Sequence, residues 1–109
     1  MSDPRLRNLK VKTGVVKRLF KEKISYEKEM EKERQKLNGM KQKGEDEYRV
    51  KKQEEVVQEC LMMIPNCKIR LSNAWTDLKT TLDSEPGFSN TEEYREAKKV
   101  LDEVEPNLR

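Results

Sequence analysis

The chain carries few side chains suited to covalent or redox chemistry. It has two cysteines, Cys60 and Cys67, and no histidine. Without histidine it lacks the usual general base near neutral pH, the commonest metal ligand and the ordinary pH switch. An enzyme is therefore not expected. The two cysteines stand seven positions apart on what reads as one helix, which puts their Cα atoms roughly 10 Å apart. That exceeds the limit of about 7 Å for a disulfide, so reduced thiols in a cytosolic protein are expected, packed as small core residues. Two thiols without histidine make a poor metal site, and no cofactor is expected.

What remains is recognition by charge and by apolar contact. On a helical projection of about 100° per residue, Arg7, Lys10, Gly14, Lys17, Arg18 and Lys21 fall on the face opposite the first apolar stripe. Residues 1–23 hold eight Lys/Arg against two Asp/Glu, whereas residues 83–109 hold four against eight. A charged helix face is by default a solvated one. Read functionally, this ridge is a landing surface for an acidic protein. Gly14 fits that reading, because glycine in an exposed helix costs up to about 1 kcal/mol relative to alanine and admits close approach of another backbone.

A second feature is the uncharged run Cys60-Leu61-Met62-Met63-Ile64-Pro65-Asn66-Cys67, in a chain that is 41% charged. Leu61, Ile64 and both cysteines are core by phase. Met62, with Asn66 and Ile69, projects outward beside Pro65, forming an apolar rim at a proline kink that is a candidate contact site. Nucleic acid is not expected as the partner. The aromatics Phe20, Tyr26, Tyr48, Trp75 and Tyr94 follow the apolar stripes rather than the basic residues, so no stacking platform forms, and the pI of 8.8 is only mildly basic.

These features need long helices to position them. High charge with only four Gly and four Pro is the composition of amphipathic helices rather than of sheets. Disorder is disfavoured because the net charge is only +3 and the two signs are interleaved. The spacing predicts helix one over about 4–41, capped by Asp3 with Pro4 at its first position and ended by Gly39 and Gly44. Helix two is predicted over about 47–82. Its Val50, Val57, Ile64, Leu71 and Leu78 recur at seven, flanked by Leu61, Trp75 and Leu82 and by Cys60, Cys67 and Ala74. Three adjacent columns can bury against two neighbours. Pro65 should kink this helix without breaking it. Helix three is predicted over about 91–105, opened by a capping box of Ser89 with Glu92 or Asn90 with Glu93 and closed by Pro106. The expected fold is all-α: an up-down-up three-helix bundle, residues 1–109 forming a single domain. No run approaches the roughly 20 apolar residues of a membrane span, and no signal peptide is evident. An amphipathic transit peptide at residues 1–23 is a minor alternative. On these grounds alone the chain is a binding protein, with a structural coiled-coil subunit of a larger assembly or a basic helical nucleic-acid-binding module as rival readings.

Specific strings narrow this. Lys10-Val11-Lys12-Thr13-Gly14-Val15-Val16-Lys17-Arg18-Leu19-Phe20-Lys21-Glu22-Lys23, Tyr26-Glu27-Lys28-Glu29, Met62-Met63-Ile64-Pro65, Arg70-Leu71 and Tyr94-Arg95-Glu96-Ala97-Lys98-Lys99-Val100-Leu101-Asp102 together resemble the tubulin-specific chaperone A family, also called tubulin-folding cofactor A, in order and spacing over nearly the whole chain. The resemblance implies a cytoplasmic, cytoskeleton-associated helical protein that binds β-tubulin released from the chaperonin. It would hold that tubulin in a quasi-native state and pass it toward the αβ-heterodimer, stoichiometrically and without nucleotide or metal. Other tubulin-folding cofactors are implied as further partners, no membrane is, and the protein would be a monomer or a homodimer. The chain departs from the family pattern at Cys60-Leu61, where Ser-Arg is expected, at Asn66, where Asp is expected, and at the more apolar Ile69. The candidate partner-binding residues are thus Arg7, Lys10, Gly14, Lys17, Arg18, Lys21, Met62, Pro65, Asn66 and Ile69.

Overall fold

The structure is a computed structural model that describes residues 3–108; Met1, Ser2 and Arg109 lie outside the described residues. Three helices account for nearly all of it: α1, Pro4–Gln42; α2, Glu47–Asp83; and α3, Glu92–Val104. Single 3-10 turns follow at Pro86–Phe88 and Glu105–Asn107. The expected all-α, three-helix class is the class observed. Among the described residues no helix is long and apolar enough to cross a membrane.

Local chemistry sets the helix ends. Asp3 opens α1, its Oδ1 accepting the Arg5 amide N–H at 2.8 Å, with Pro4 at the first helical position where its missing donor is not needed. At the other end Gly44 alone does the stopping. It has φ +65°, and the amides of Gly44 and Glu45 donate to the carbonyls of Lys41 and Met40, the paired bonds of a Schellman cap. Gly39, expected to help end the helix, lies inside it. A glycine held in right-handed helical geometry lowers helix propensity without ending the helix; the stop requires the left-handed residue.

Pro65 lies within an unbroken α2. Proline there forgoes the bond to the Leu61 carbonyl and costs about 3 kcal/mol. Burial of Cys67 and Leu71 immediately beyond it, at about 1.5–3 kcal/mol for a leucine-sized side chain, helps offset that cost and keeps the helix in phase. The cap of α3 differs from the expected capping box. Thr91 is the N-cap, in extended backbone, and its Oγ1 accepts the Tyr94 amide N–H at 3.2 Å. Ser89 is in helical geometry as the C-cap of the 3-10 turn, and the extended cap residue is Thr91 rather than Ser89 or Asn90.

The described residues form two compact units. The first combines α1 up to Lys21 with the chain from Lys68 onward. Here three helices share one core of Leu9, Val16, Leu19, Leu71, Leu78, Leu82, Ala97, Val100, Leu101 and Val104. The α1 and α2 segments run antiparallel: Arg5 lies 3.6 Å from Glu85 just past the end of α2, while Lys12, further along α1, reaches back to Asp77 Oδ1 at 3.2 Å and Thr81 Oγ1 at 2.8 Å. Trp75 packs on the core and donates its indole N–H to the Leu101 carbonyl at 2.9 Å, tying α2 to α3. Thr13, on the stripe, satisfies its buried hydroxyl on the Leu9 carbonyl at 2.8 Å. Arg5 lies 4.8 Å from the Phe88 ring centroid and 3.6 Å from Glu85, fastening the loop before α3.

The second unit, Glu22–Cys67, is an antiparallel hairpin of the remaining parts of α1 and α2. With one neighbour per helix, its apolar columns are covered less completely. Leu37, Met40, Val57 and Cys67 are buried, whereas Val50, Cys60, Leu61 and Ile64 are only half-buried. Polar groups occupy part of the seam. Gln53 is buried and donates its side-chain amide to the Glu33 carbonyl at 2.9 Å and to Glu33 Oε2 at 2.5 Å. Lys23 is buried on the α1 stripe, its ammonium meeting Glu27 at 3.1 Å.

Candidate functional site

The basic ridge exists, but α3 divides it. Arg7, Lys10, Gly14, Lys17, Arg18 and Lys21 are all exposed on α1. Three of them, Lys10, Gly14 and Lys17, line a groove of about 500 Å³ with Thr13 and with Glu92, Glu93 and Glu96 of α3. Across it Lys17 Nζ meets Glu96 Oε1 at 2.5 Å. That contact, through its hydrogen bond and its charge, holds the Glu96 carboxyl below its ordinary range, with Lys99 adding slightly. Part of the ridge's charge is therefore met by the chain's own acidic helix start, where Glu92 and Glu93 occupy the first turn and favour the helix dipole. Arg7, Arg18 and Lys21 do not line that groove.

The charge asymmetry between residues 1–23 and 83–109 was the signal for this pairing. The two readings of the ridge, as a solvated face or as a landing surface, left out a third arrangement, that the two ends of the chain meet within one unit. Gly14 has no crowded neighbour: a Cβ built on it would meet nothing within 4 Å. Its missing side chain leaves open space along the groove wall.

On α2, Met62 is 74% exposed and Ile69 63% exposed, with Pro65 and Asn66 also on the surface. All four lie on one continuous helix. Met62, Pro65 and Asn66 belong to the hairpin unit and Ile69 to the three-helix unit. The Cys60 thiol beside them is pushed up from its ordinary value, chiefly by burial and then by Glu29, Glu33 and Glu59, so it is a protonated thiol near neutrality rather than a nucleophile. Cys60 and Cys67 are not joined by a disulfide. Among the described residues no three His, Cys, Asp or Glu side chains converge as a metal site. Sequence reasoning missed Tyr48 and Val56, exposed apolar side chains at the loop end of the hairpin. Val56 stands beside, not on, the column through Val50 and Val57, which is the signal that could have found it; Tyr48, expected along the apolar stripes, is 66% exposed instead.

Comparison with known proteins agrees with this architecture. The family model described as tubulin binding cofactor A matches residues 4–101. The rat tubulin-specific chaperone A is 52% identical over 104 residues, covering 95% of this chain and 96% of the relative. The tubulin-folding cofactor A of Arabidopsis thaliana is 48% identical over 102 residues, covering 92% and 90%. Among solved structures, the human tubulin chaperone cofactor A superposes with a TM-score of 0.82 at 46% identity, covering 94% of this chain and 99% of that one. Recombinant tubulin-binding cofactor A from Leishmania major gives 0.82 at 29% identity, covering 96% and 97%. With its three helices, its capped ends and this match over nearly its full length, the chain belongs to the tubulin-binding cofactor A family.

Proposed function

We propose that this protein binds β-tubulin after its release from the chaperonin, holds it in a quasi-native state and passes it toward αβ-heterodimer assembly in the cytoplasm. The observation that carries this is membership of a family whose relatives are named tubulin-specific chaperone A, matched along nearly the whole chain. The site chemistry is compatible with it. Exposed cations on α1 and an apolar rim on α2 can hold a folded or partly folded acidic protein without any covalent step. In this reading Arg7, Arg18 and Lys21 steer the encounter, the groove at Lys10, Gly14 and Lys17 takes a backbone edge, Met62, Pro65 and Ile69 supply apolar contact, and Asn66 offers a polar group among them.

Two experiments test it. Capture from cytosol on the immobilised chain, with mass-spectrometric identification, should recover β-tubulin; recovery of α-tubulin alone, or of no tubulin, refutes the proposal. Combining Arg18→Glu, Lys21→Glu and Met62→Asp should abolish capture while circular dichroism shows an intact helical fold. Full capture by that triple variant would show that the contact residues lie elsewhere.

A further inference from the structure

At the loop end of the hairpin unit, a cavity of about 220 Å³ is lined by Lys36 and Met40 of α1 and by Tyr48, Arg49, Lys52, Gln53 and Val56 of α2. Three lining residues are cationic and none is a carboxylate. Met40 is buried and forms an apolar floor, while Tyr48 is 66% and Val56 39% exposed. The fold does not use these two side chains for its core, and exposed apolar groups gathered around a cavity mark contact surfaces. The side-chain amide of Gln53 is already engaged, donating to the carbonyl and the carboxylate of Glu33.

The cations are held loosely. Arg49, 67% exposed, lies 3.3 Å from the partly buried Glu45, and Lys52 lies 4.0 Å from Glu55 in an exposed pair, both within one stretch of chain. Lys52 also stands 5.5 Å from the Tyr48 ring centroid. Surface pairs of this kind contribute little, so an incoming carboxylate can replace the present partners.

We propose that this cavity binds a short acidic peptide segment that carries one aliphatic residue among its carboxylates. The aliphatic side chain enters over Met40 between Tyr48 and Val56, and the flanking carboxylates meet Lys36, Arg49 and Lys52. The cavity is the size of one side chain, which suits a peptide. An aliphatic floor gives nothing to a phosphate backbone, and the single aromatic is no platform for successive bases. This site rests on its own geometry, and does not depend on the identity of the folding client.

The test uses fluorescence anisotropy of the full chain with three labelled probes: the peptide Glu-Glu-Leu-Glu-Glu-Glu, hexaglutamate, and a six-nucleotide single strand. The leucine peptide should bind saturably and weaken as salt is added. Hexaglutamate should bind about tenfold more weakly, the worth of one buried leucine. Combined Lys36→Glu and Lys52→Glu should weaken the leucine peptide about tenfold or more, with helicity unchanged by circular dichroism, and Lys98→Glu, at an exposed position on α3, should leave it unaltered. Should the double variant lose helicity, Tyr48→Ser carries the same test through one exposed ring, with about a threefold loss expected. The proposal is overturned by an absence of saturable peptide binding, by equal binding of hexaglutamate, by indifference to these substitutions in a folded chain, or by tighter binding of the oligonucleotide through the same residues.

Discussion

Lys17 of α1 and Glu96 of α3 form an ion pair, Nζ to Oε1 at 2.5 Å, across a groove that Gly14 also lines. One of the residues that the sequence offers to a partner is thereby engaged at home. The pair is exposed, so it contributes little to stability beside the shared leucine and valine core. Its consequence is for recognition. An acidic partner must compete with Glu96 for Lys17, whereas nothing in the groove lining competes for Arg18 or Lys21.

The pair should leave a pH signature. Because Lys17 holds the Glu96 carboxyl below its ordinary value of 4.5, the carboxylate favours the folded state above that value. The contribution disappears as pH falls through the lower, folded value. Thermal melts taken from neutrality down to about pH 3 should show a small loss of stability setting in below about 4.5, and Glu96→Gln should remove that part of the slope. An unchanged slope in the Gln variant would mean the contact has no energetic role in solution.

Gly14→Ala separates folding from recognition. The added Cβ meets nothing within 4 Å, and alanine favours a helix interior by about 1 kcal/mol. The melting temperature should rise by about 4 °C. If a tubulin backbone edge sits against Gly14, capture should fall in the same variant despite the firmer fold. A more stable variant with unaltered capture removes Gly14 from the contact surface.

Thr91 should matter more than an exposed loop residue ordinarily does. Its hydroxyl accepts the Tyr94 N–H and donates to the Phe88 carbonyl at 2.6 Å, so it both opens α3 and holds the preceding turn. Thr91→Ala should cost about 1 kcal/mol and Thr91→Ser only a few tenths, read as denaturation midpoints. Equal losses in the two variants would assign the effect to the threonine methyl group instead of the cap.

The cysteines should be slow to react. Burial and the neighbouring glutamates raise the Cys60 thiol above its ordinary 9.0, and Cys67 has no exposed surface. Iodoacetamide at neutral pH should modify Cys60 sluggishly, speeding only as pH approaches and passes 9, and Cys67 only after unfolding. Rapid labelling of Cys67 in the native chain would show that the helices part around it.

Much of the helical layout is legible in the residues because it is local. Asp3-Pro4 opens a helix and Gly44 closes it through bonds made within a few residues, and the stripe through Val57, Leu71 and Leu78 marks the buried face whatever packs against it. Two local readings fail for an equally local reason. Gly39 and the Ser89-Glu92 or Asn90-Glu93 boxes carry the right residue types, but a cap needs a particular backbone angle, and that angle falls at Gly44 and Thr91.

The sequence by itself determined the helices, their apolar faces, the exposed Met62 and Ile69, and, through its unusual strings, the family. Only the tertiary structure decided how fully each face is covered and which charges remain open to a partner. Leu71 and Leu78 are sealed while Val50 and Ile64 on the same column are half-exposed, because the first pair has two neighbouring helices and the second has one. Lys17 is paired and Arg18 beside it lies outside the groove, because α3 returns its acidic first turn to one side of α1. Periodicity records which way a side chain points along its own helix. What stands opposite it depends on residues some eighty positions away, and no local pattern encodes that.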